Sequence, residues 1–273
     1  MDSRFPRTVT IYGTGLMGSS FSLALKQAIP GIRVFGVDSA EILSRAIRVG
    51  AIDSIAPEPS DLVILSAPVG DILQLLETLK PDPQIILDMG STKVEICRKA
   101  QDRSLPFVGG HPMTGSERSG PEAASADLFR GSRFFLCPIS STPPDAIATL
   151  ESLIRSTGAL PHVISPEHHD KLAAELSHLP QILSTLLADH TSEHRDFAGP
   201  GWKSVTRLAA SPFHVWRDIL VTSGSLPEEL RIYIQRLHEI LEALDRKDLK
   251  KLEAVFERAN RSVEGGPNGS RSH

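Results

Sequence analysis

The chain is 273 residues long, with 40% apolar and 23% charged side chains and a formal net charge of −4. That length exceeds one average domain, so two domains or one large α/β unit are expected, and the composition is that of a globular protein, not a disordered one. The slight acidity gives no basis for nucleic-acid binding or for contact with a membrane surface, which leaves a small molecule as the expected partner.

Cys97 and Cys137 are the only cysteines and lack metal-ligand spacing, as suits a reducing cytosol. Met1 to Arg7 lacks the apolar core of a signal peptide, and no uncharged apolar stretch reaches membrane-spanning length. A soluble, cytoplasmic protein is expected.

The first apolar run, Thr8 to Tyr12, opens directly onto Gly13-Thr14-Gly15-Leu16-Met17-Gly18. In a strand-to-helix turn, Gly13 permits the tight bend, Gly15 lets the backbone approach a pyrophosphate, and Gly18 packs helix on strand. A helix over Leu16 to Ala28 would aim its free N–H groups at that phosphate. A second apolar run, Ile32 to Val37, ends in Asp38, twenty residues past Gly18, where a dinucleotide fold presents a carboxylate to the ribose 2′-OH. The neighbours Ser39, Ala40 and Glu41 supply no arginine for a 2′-phosphate, so NAD is favoured over NADP.

Beyond Asp38, short apolar runs alternate with helical patterns, the signature of βαβ units and a parallel sheet. Asp61 to Ala67 reads as a buried strand, Val69 to Leu79 as a helix, and Gln84 to Asp88 as the next strand, closing on Gly90-Ser91-Thr92-Lys93 before a helix to about Ala100. Phe107 and Val108 start a short strand leading into Gly109-Gly110-His111. Arg133 to Pro138, a helix over about Pro144 to Thr157, and Leu160 to Ser165 form the last strand-helix-strand unit. In open α/β sheets the ligand crevice lies outside the carboxyl ends of the strands. Gly13, Gly15, Leu16, Met17, Gly18, Asp38, Ser66, Ala67, Pro68, Ser91 and His111 all fall there, and the first ten form the expected cofactor site.

From Glu167 onward helical periodicity replaces strands. Glu167 to about Ser192 carries Leu172, Leu176, Leu179, Leu183 and Leu186 on one stripe, interrupted only by Pro180; His168-His169 reads as capping or beginning a helix. Further helices are expected over Ser204 to Thr222, from Ser225 through Leu244, and on to about Arg261. The expected organisation is a Rossmann-type dinucleotide domain over residues 1–166, an all-helical substrate and dimerisation domain over 167–262, and a disordered tail over 263–273. Long apolar helical stripes seek partners, which points to a homodimer.

His111 is the sharpest chemical candidate, a histidine among glycines in the cofactor crevice where it can exchange protons. Ser91, at the neighbouring strand end, could orient that imidazole, touch the nicotinamide or cap a helix. In the helical half Arg207 lies amid apolar residues, suited to a carboxylate or to a helix-end salt bridge. Trp216 could add a directed indole N–H. His190 and His194, four apart, lack a Glu-flanked zinc motif, so no metal is expected. Neither a nucleophile elbow nor a Gly-Lys-Ser phosphate loop is present.

From Val9 to about Leu220 the sequence resembles the prephenate and arogenate dehydrogenases of tyrosine biosynthesis. The resemblance rests on Gly13 to Gly18, Asp88-Met89-Gly90-Ser91-Thr92-Lys93, Gly110-His111-Pro112-Met113-Thr114-Gly115-Ser116-Glu117-Arg118-Ser119-Gly120, His169-Asp170 with Ser177-His178-Leu179-Pro180, and Thr206-Arg207-Leu208-Ala209 with Trp216-Arg217-Asp218. It implies NAD-dependent oxidation of a cyclohexadienol with loss of its ring carboxylate. It makes His111 the base for the ring hydroxyl, Ser91 its hydrogen-bonding partner, Arg207 the carboxylate ligand, and His178 and Trp216 pocket walls. Prephenate would give 4-hydroxyphenylpyruvate; arogenate, dual specificity and a non-catalytic NAD-binding dimer are the alternatives. Neither a chorismate mutase segment before Gly13 nor a regulatory domain after Arg261 is expected, so any inhibition by tyrosine would act at the active site.

Overall fold

Residues 5–55, 60–82, 84–116 and 118–264 are described by the computed structural model. Five strands, β1 (Thr8–Tyr12), β2 (Arg33–Val37), β3 (Leu62–Leu65), β4 (Ile85–Asp88) and β5 (Phe107–Pro112), are linked by α1 (Leu16–Ala28), α2 (Ala40–Arg48), α3 (Val69–Thr78) and α4 (Val94–Asp102). The four residues of β3 are all buried because both faces of the sheet are covered. Leu62 and Ile64 join Val9, Ile11 and Phe21 in one core, while Val63 and Leu65 join Ile72, Leu76 and Phe107 in the other. Phe21 meets Phe129 edge to face at 5.2 Å.

The strand order is β2-β1-β3-β4-β5-β6-β7, with β1 paired in parallel to both β2 and β3. The chain leaves β1 to one side and returns on the other, which opens a crevice at the carboxyl ends of β1 and β3. Gly13 and Ser66 lie there, one residue past each strand.

β6 (Arg133–Pro138) departs from the parallel pattern and runs antiparallel to β5, with His111 opposite Phe135. A parallel return needs a crossover, usually a helix. The described part of the connection carries only a single 3-10 turn, Pro121–Ala123, so the chain folds straight back. This pairing also carries β5 past Val108, the last residue paired with β4, out to Pro112. α5 (Ala146–Ser156) then crosses to β7 (Leu160–Val163), parallel to β6.

α6 (Pro166–Ala173), a π-helical turn (Ala174–His178) and α7 (Leu179–His190) follow as one continuous helical run. Pro180 has no N–H for the carbonyl four residues back and its ring crowds that carbonyl; a widened turn ahead of it relieves both. The leucine stripe is not the buried face of this run. His169, Ala173, His178, Gln181 and Ser184 are buried, whereas Leu176 is 68% and Leu186 57% exposed. The helix expected over Ser204 to Thr222 is broken into α8 (Pro200–Val205), a 3-10 turn (Arg207–Ala210) and α9 (Phe213–Thr222). Pro212 keeps Ser211 out of the helical region, which forces the last break.

The expected boundary near Pro166 coincides with the start of α6, while the compact units of the chain divide between Ser225 and Leu226. In the second unit, α10 (Leu226–Asp245) and α11 (Leu249–Glu264) form a hairpin turned at Lys247, whose φ is +54°. Val263 and Glu264 end α11; the rest of the expected tail lies outside the described residues.

Candidate active site

Gly13 has φ +89°, and a Cβ there would lie 2.2 Å from the Ser66 carbonyl oxygen, so no other residue fits this turn. A Cβ on Gly18 would lie 2.1 Å from the Gly13 carbonyl oxygen, which confirms close packing of α1 on β1. At Gly15, the residue before α1, a Cβ would meet nothing within 4 Å. Asp38 accepts from Thr14 N (2.8 Å) and Ser39 N (2.7 Å), tying the end of β2 to the glycine turn.

A cavity of about 610 Å³ opens here, lined by Gly13, Gly15, Asp38, Ser66, Ala67 and Pro68 among others. Leu16, Met17 and Gly18 stand behind it in the first turn of α1. Open space over Gly15 and an α1 N-terminus with no side-chain cap fit a pyrophosphate, and Asp38 on the wall fits a ribose.

His111 is the penultimate residue of β5 and half-buried. Its Nδ1 lies 2.8 Å from Nε2 of His169, and the two rings meet edge to face at 5.0 Å. His169 is therefore more than the beginning of a helix, where Ser165 caps the first turn by accepting from His168 N. Burial and the neighbouring His169, Lys93 and His178 push His111 well below the ordinary histidine range, so it is neutral at neutral pH. Ser91 lies half-buried between β4 and α4, and among the described residues no hydrogen bond joins it to His111.

The strand ends behind His111 are held by a buried ion pair, Lys93 with Asp88. Asp88 also accepts from Gly90 N (2.8 Å) and Gly110 N (2.9 Å), fixing β5 one residue before His111.

His178, in the π turn, is 1% exposed and its Nδ1 lies 2.8 Å from Ser223 Oγ. Its Nε2 is buried without a partner among the described residues, and its ring stands edge-on to Trp216 at 5.9 Å. Burial lowers His178 to about 4. One turn on, Gln181 donates to Leu208 O (2.9 Å) while its Oε1 is buried without a partner among the described residues, and Ser184 Oγ accepts from Ala209 N (3.1 Å). These two contacts pin the turn that starts at Arg207, whose side chain is exposed and makes no ion pair among the described residues.

α9 is tied to the sheet edge by Asp218, which accepts from Gly70 N (3.0 Å), and by Thr222, whose Oγ1 lies 2.8 Å from Thr92 Oγ1. His178, Trp216 and Arg207 thus stand on elements joined to one another, and His169 links that group to His111. The sequence reading missed His169 as the partner of His111, Gln181, and Asp170 and Asp218 as ties to the sheet. An ionisable pair, His169-Asp170, on the run that also buries His178 and Gln181 is the signal that could have found the first.

Two family models match the chain: the nucleotide-binding domain of prephenate dehydrogenase over residues 21–163, and its dimerization domain over residues 165–258. The prephenate dehydrogenase of Bacillus subtilis (strain 168) is 33% identical, covering 95% of this chain and 76% of the relative. The cyclohexadienyl dehydrogenase of Zymomonas mobilis is 31% identical, covering 88% and 89%. The crystal structure of prephenate dehydrogenase from A. aeolicus in complex with hydroxyphenyl propionate and NAD+ superposes with a TM-score of 0.87 at 26% identity, covering 95% of this chain and 98% of that one. The glycine turn, the histidine at the end of β5 and these likenesses lead to one conclusion: the chain belongs to the prephenate dehydrogenase family of NAD-dependent oxidoreductases.

Proposed function

We propose that the chain oxidises prephenate to 4-hydroxyphenylpyruvate and carbon dioxide with NAD, as a cytoplasmic homodimer. The observation that carries this reading is His111, neutral and held by His169, at the end of β5 on the same carboxyl edge of the sheet as the glycine turn. Gly13, Gly15, Leu16, Met17, Gly18, Asp38, Ser66, Ala67, Pro68 and Ser91 would hold the NAD, which when bound supplies the hydride acceptor. His111 takes the proton of the ring hydroxyl as the carbinol C–H bond breaks. Loss of the ring carboxylate as carbon dioxide then aromatises the ring, and His111 returns the proton to the phenolate oxygen. Arg207, free of ion pairs among the described residues, is assigned to a substrate carboxylate. His178 Nε2 and the Trp216 ring are assigned to the substrate wall.

One observation favours a second reading. Gln181 Oε1 is a buried acceptor with no donor among the described residues, and the ammonium of arogenate would supply one where the keto group of prephenate would not. The deciding experiment follows NADH formation by the purified protein with prephenate or arogenate, each with NAD or NADP. No turnover with any pair overturns the enzyme reading, and the ratio of kcat/KM values ranks the two substrates.

The homodimer reading is supported by exposed apolar faces: Leu176 and Leu186, and on α10 Ile234, Leu237, Leu241 and Leu244, each about half exposed. Cytoplasmic placement is supported by two free, buried thiols, Cys97 and Cys137, whose burial pushes their ionisation up. Among the described residues no helix is long and apolar enough to cross a membrane.

A further inference from the structure

His111 is the end of a hydrogen-bonded chain that begins at a helix terminus. Asp170 Oδ1 accepts from Lys93 N (2.6 Å) and Oδ2 from Val94 N (3.0 Å) at the start of α4, where the helix dipole favours an anion. The same Oδ1 lies 2.8 Å from His169 Nδ1. With its oxygens accepting from amides that can only donate, the carboxylate accepts again, so His169 Nδ1 carries a proton. Burial outweighs the pull of Asp170 and lowers His169, which leaves a neutral ring with a lone pair on Nε2. That lone pair faces His111 Nδ1, 2.8 Å away.

We propose that His169 and Asp170 are positioning residues, a carboxylate–imidazole–imidazole chain that holds His111 with its proton on Nδ1 and the Nε2 lone pair free to take a proton. Neutral histidine in water prefers the opposite tautomer, with the proton on Nε2, which has no basic lone pair there. The chain selects the minority form without charging the ring. The other ionisable groups about His111 agree with this: Lys93, paired to Asp88 behind Gly110, and His178 from the π turn both disfavour a second proton. Phe135 of β6 packs edge-on against His169 at 5.4 Å and offers no competing polar atom. Ser91 is not required for this orientation.

The inference rests on the reading of His111 as the base, and its test separates the two. Nitrogen-15 NMR of the full chain with labelled histidine, at neutral pH and without substrate, reads the tautomer directly, His111 being assigned from the signals lost in His111→Asn. The expected spectrum shows a protonated Nδ1 and an unprotonated Nε2 for His111; a proton on Nε2 overturns the inference whatever the enzyme's substrate. His169→Phe keeps a ring against Phe135 and leaves Asp170 on α4. It is expected to move His111 toward the Nε2–H form and to lower kcat roughly 10²-fold, by the magnitude of general-base catalysis, with KM and NAD affinity within about twofold. Asp170→Asn keeps an amide oxygen for the α4 terminus and removes the charge, and should shift the same tautomer. Wild-type tautomer and kcat in His169→Phe would overturn the inference, whereas absent NADH formation in the wild type with the expected NMR result would overturn only the assigned reaction.

Discussion

Gly13 and Gly15 sit two residues apart in one turn, yet the structure gives them opposite roles, and alanine substitutions separate these. In Gly13→Ala the Cβ would fall 2.2 Å from Ser66 O and 2.6 Å from Ser66 C, both backbone atoms, at φ +89°. A left-handed alanine costs about 1–2 kcal/mol and overpacking about 1–3 kcal/mol more. A loss of that total lowers Tm by roughly 5–15 °C at this size. The displaced Ser66 and Ala67 line the cleft proposed for NAD, so affinity should fall as well. In Gly15→Ala the Cβ enters open space, and the only cost to the fold is a poorer helix N-cap, about 0.5–1 kcal/mol. Its Cβ should instead occupy the approach of the pyrophosphate. Thermal unfolding without ligand and calorimetric titration with NAD distinguish the two: Gly13→Ala loses stability and affinity, Gly15→Ala loses chiefly affinity. Wild-type Tm in Gly13→Ala would refute the steric argument, and wild-type NAD affinity in Gly15→Ala would refute the placement of the phosphate.

His111→Asn should lower kcat roughly 10²-fold or more with NAD affinity retained, by general-base magnitudes; near-normal kcat removes the residue from its role. Arg207→Gln should chiefly raise KM for the substrate, and an unchanged KM contradicts the carboxylate assignment. His178 is held at about 4, below its ordinary 6.5, and His111 and His169 are lowered too, so as pH falls the unfolded chain binds protons first. Their stabilisation is present above pH 6.5 and is lost as pH falls below it; for His178 the loss runs between 6.5 and 4 and amounts to roughly 3 kcal/mol. Urea midpoints should drop over that window, and drop less in His178→Phe; a flat profile counts against the buried, neutral imidazoles. Leu237→Glu with Leu241→Glu on α10 should yield monomers by light scattering, and a persisting dimer would exclude that face as the interface.

What was legible in the sequence was local. The helix read over Leu16 to Ala28 is α1 to its last residue, and β6 begins at Arg133 and ends at Pro138 as the apolar run does. Asp38 follows β2 directly and accepts from Thr14 N of the glycine turn and from Ser39 N. What was not legible depends on distance along the chain. His111 and His169 are 58 residues apart, and no periodicity announces a contact of that span. The leucines of α7 misdirect for a physical reason: the face turned to the rest of the first unit is polar, carrying His178, Gln181 and Ser184, so the more apolar face is left outward. Antiparallel β6 also escaped, because an apolar run carries no mark of strand direction.

Four helices start at the carboxyl edge of the sheet, and each presents unpaired N–H groups and a positive dipole end. α2 is capped locally by Ser39. α3 and α4 begin behind Pro68 and Lys93, which provide no side-chain cap, and distant acids take their place: Asp218 on Gly70 N, and Asp170 on Lys93 N and Val94 N. A helical segment docked by apolar contact alone could slide by fractions of an ångström; a carboxylate seated on amide N–H groups cannot, because the bonds are directional. The caps therefore set the register of α6 and α9, and with it the positions of His169 and Trp216. α1, behind Gly15, is the helix of the four to which the described chain brings no side-chain cap. Subtraction thus supports the phosphate position proposed for the cofactor: three N-termini are spent on holding the fold together, and the fourth, beside Gly15, carries no side-chain cap among the described residues.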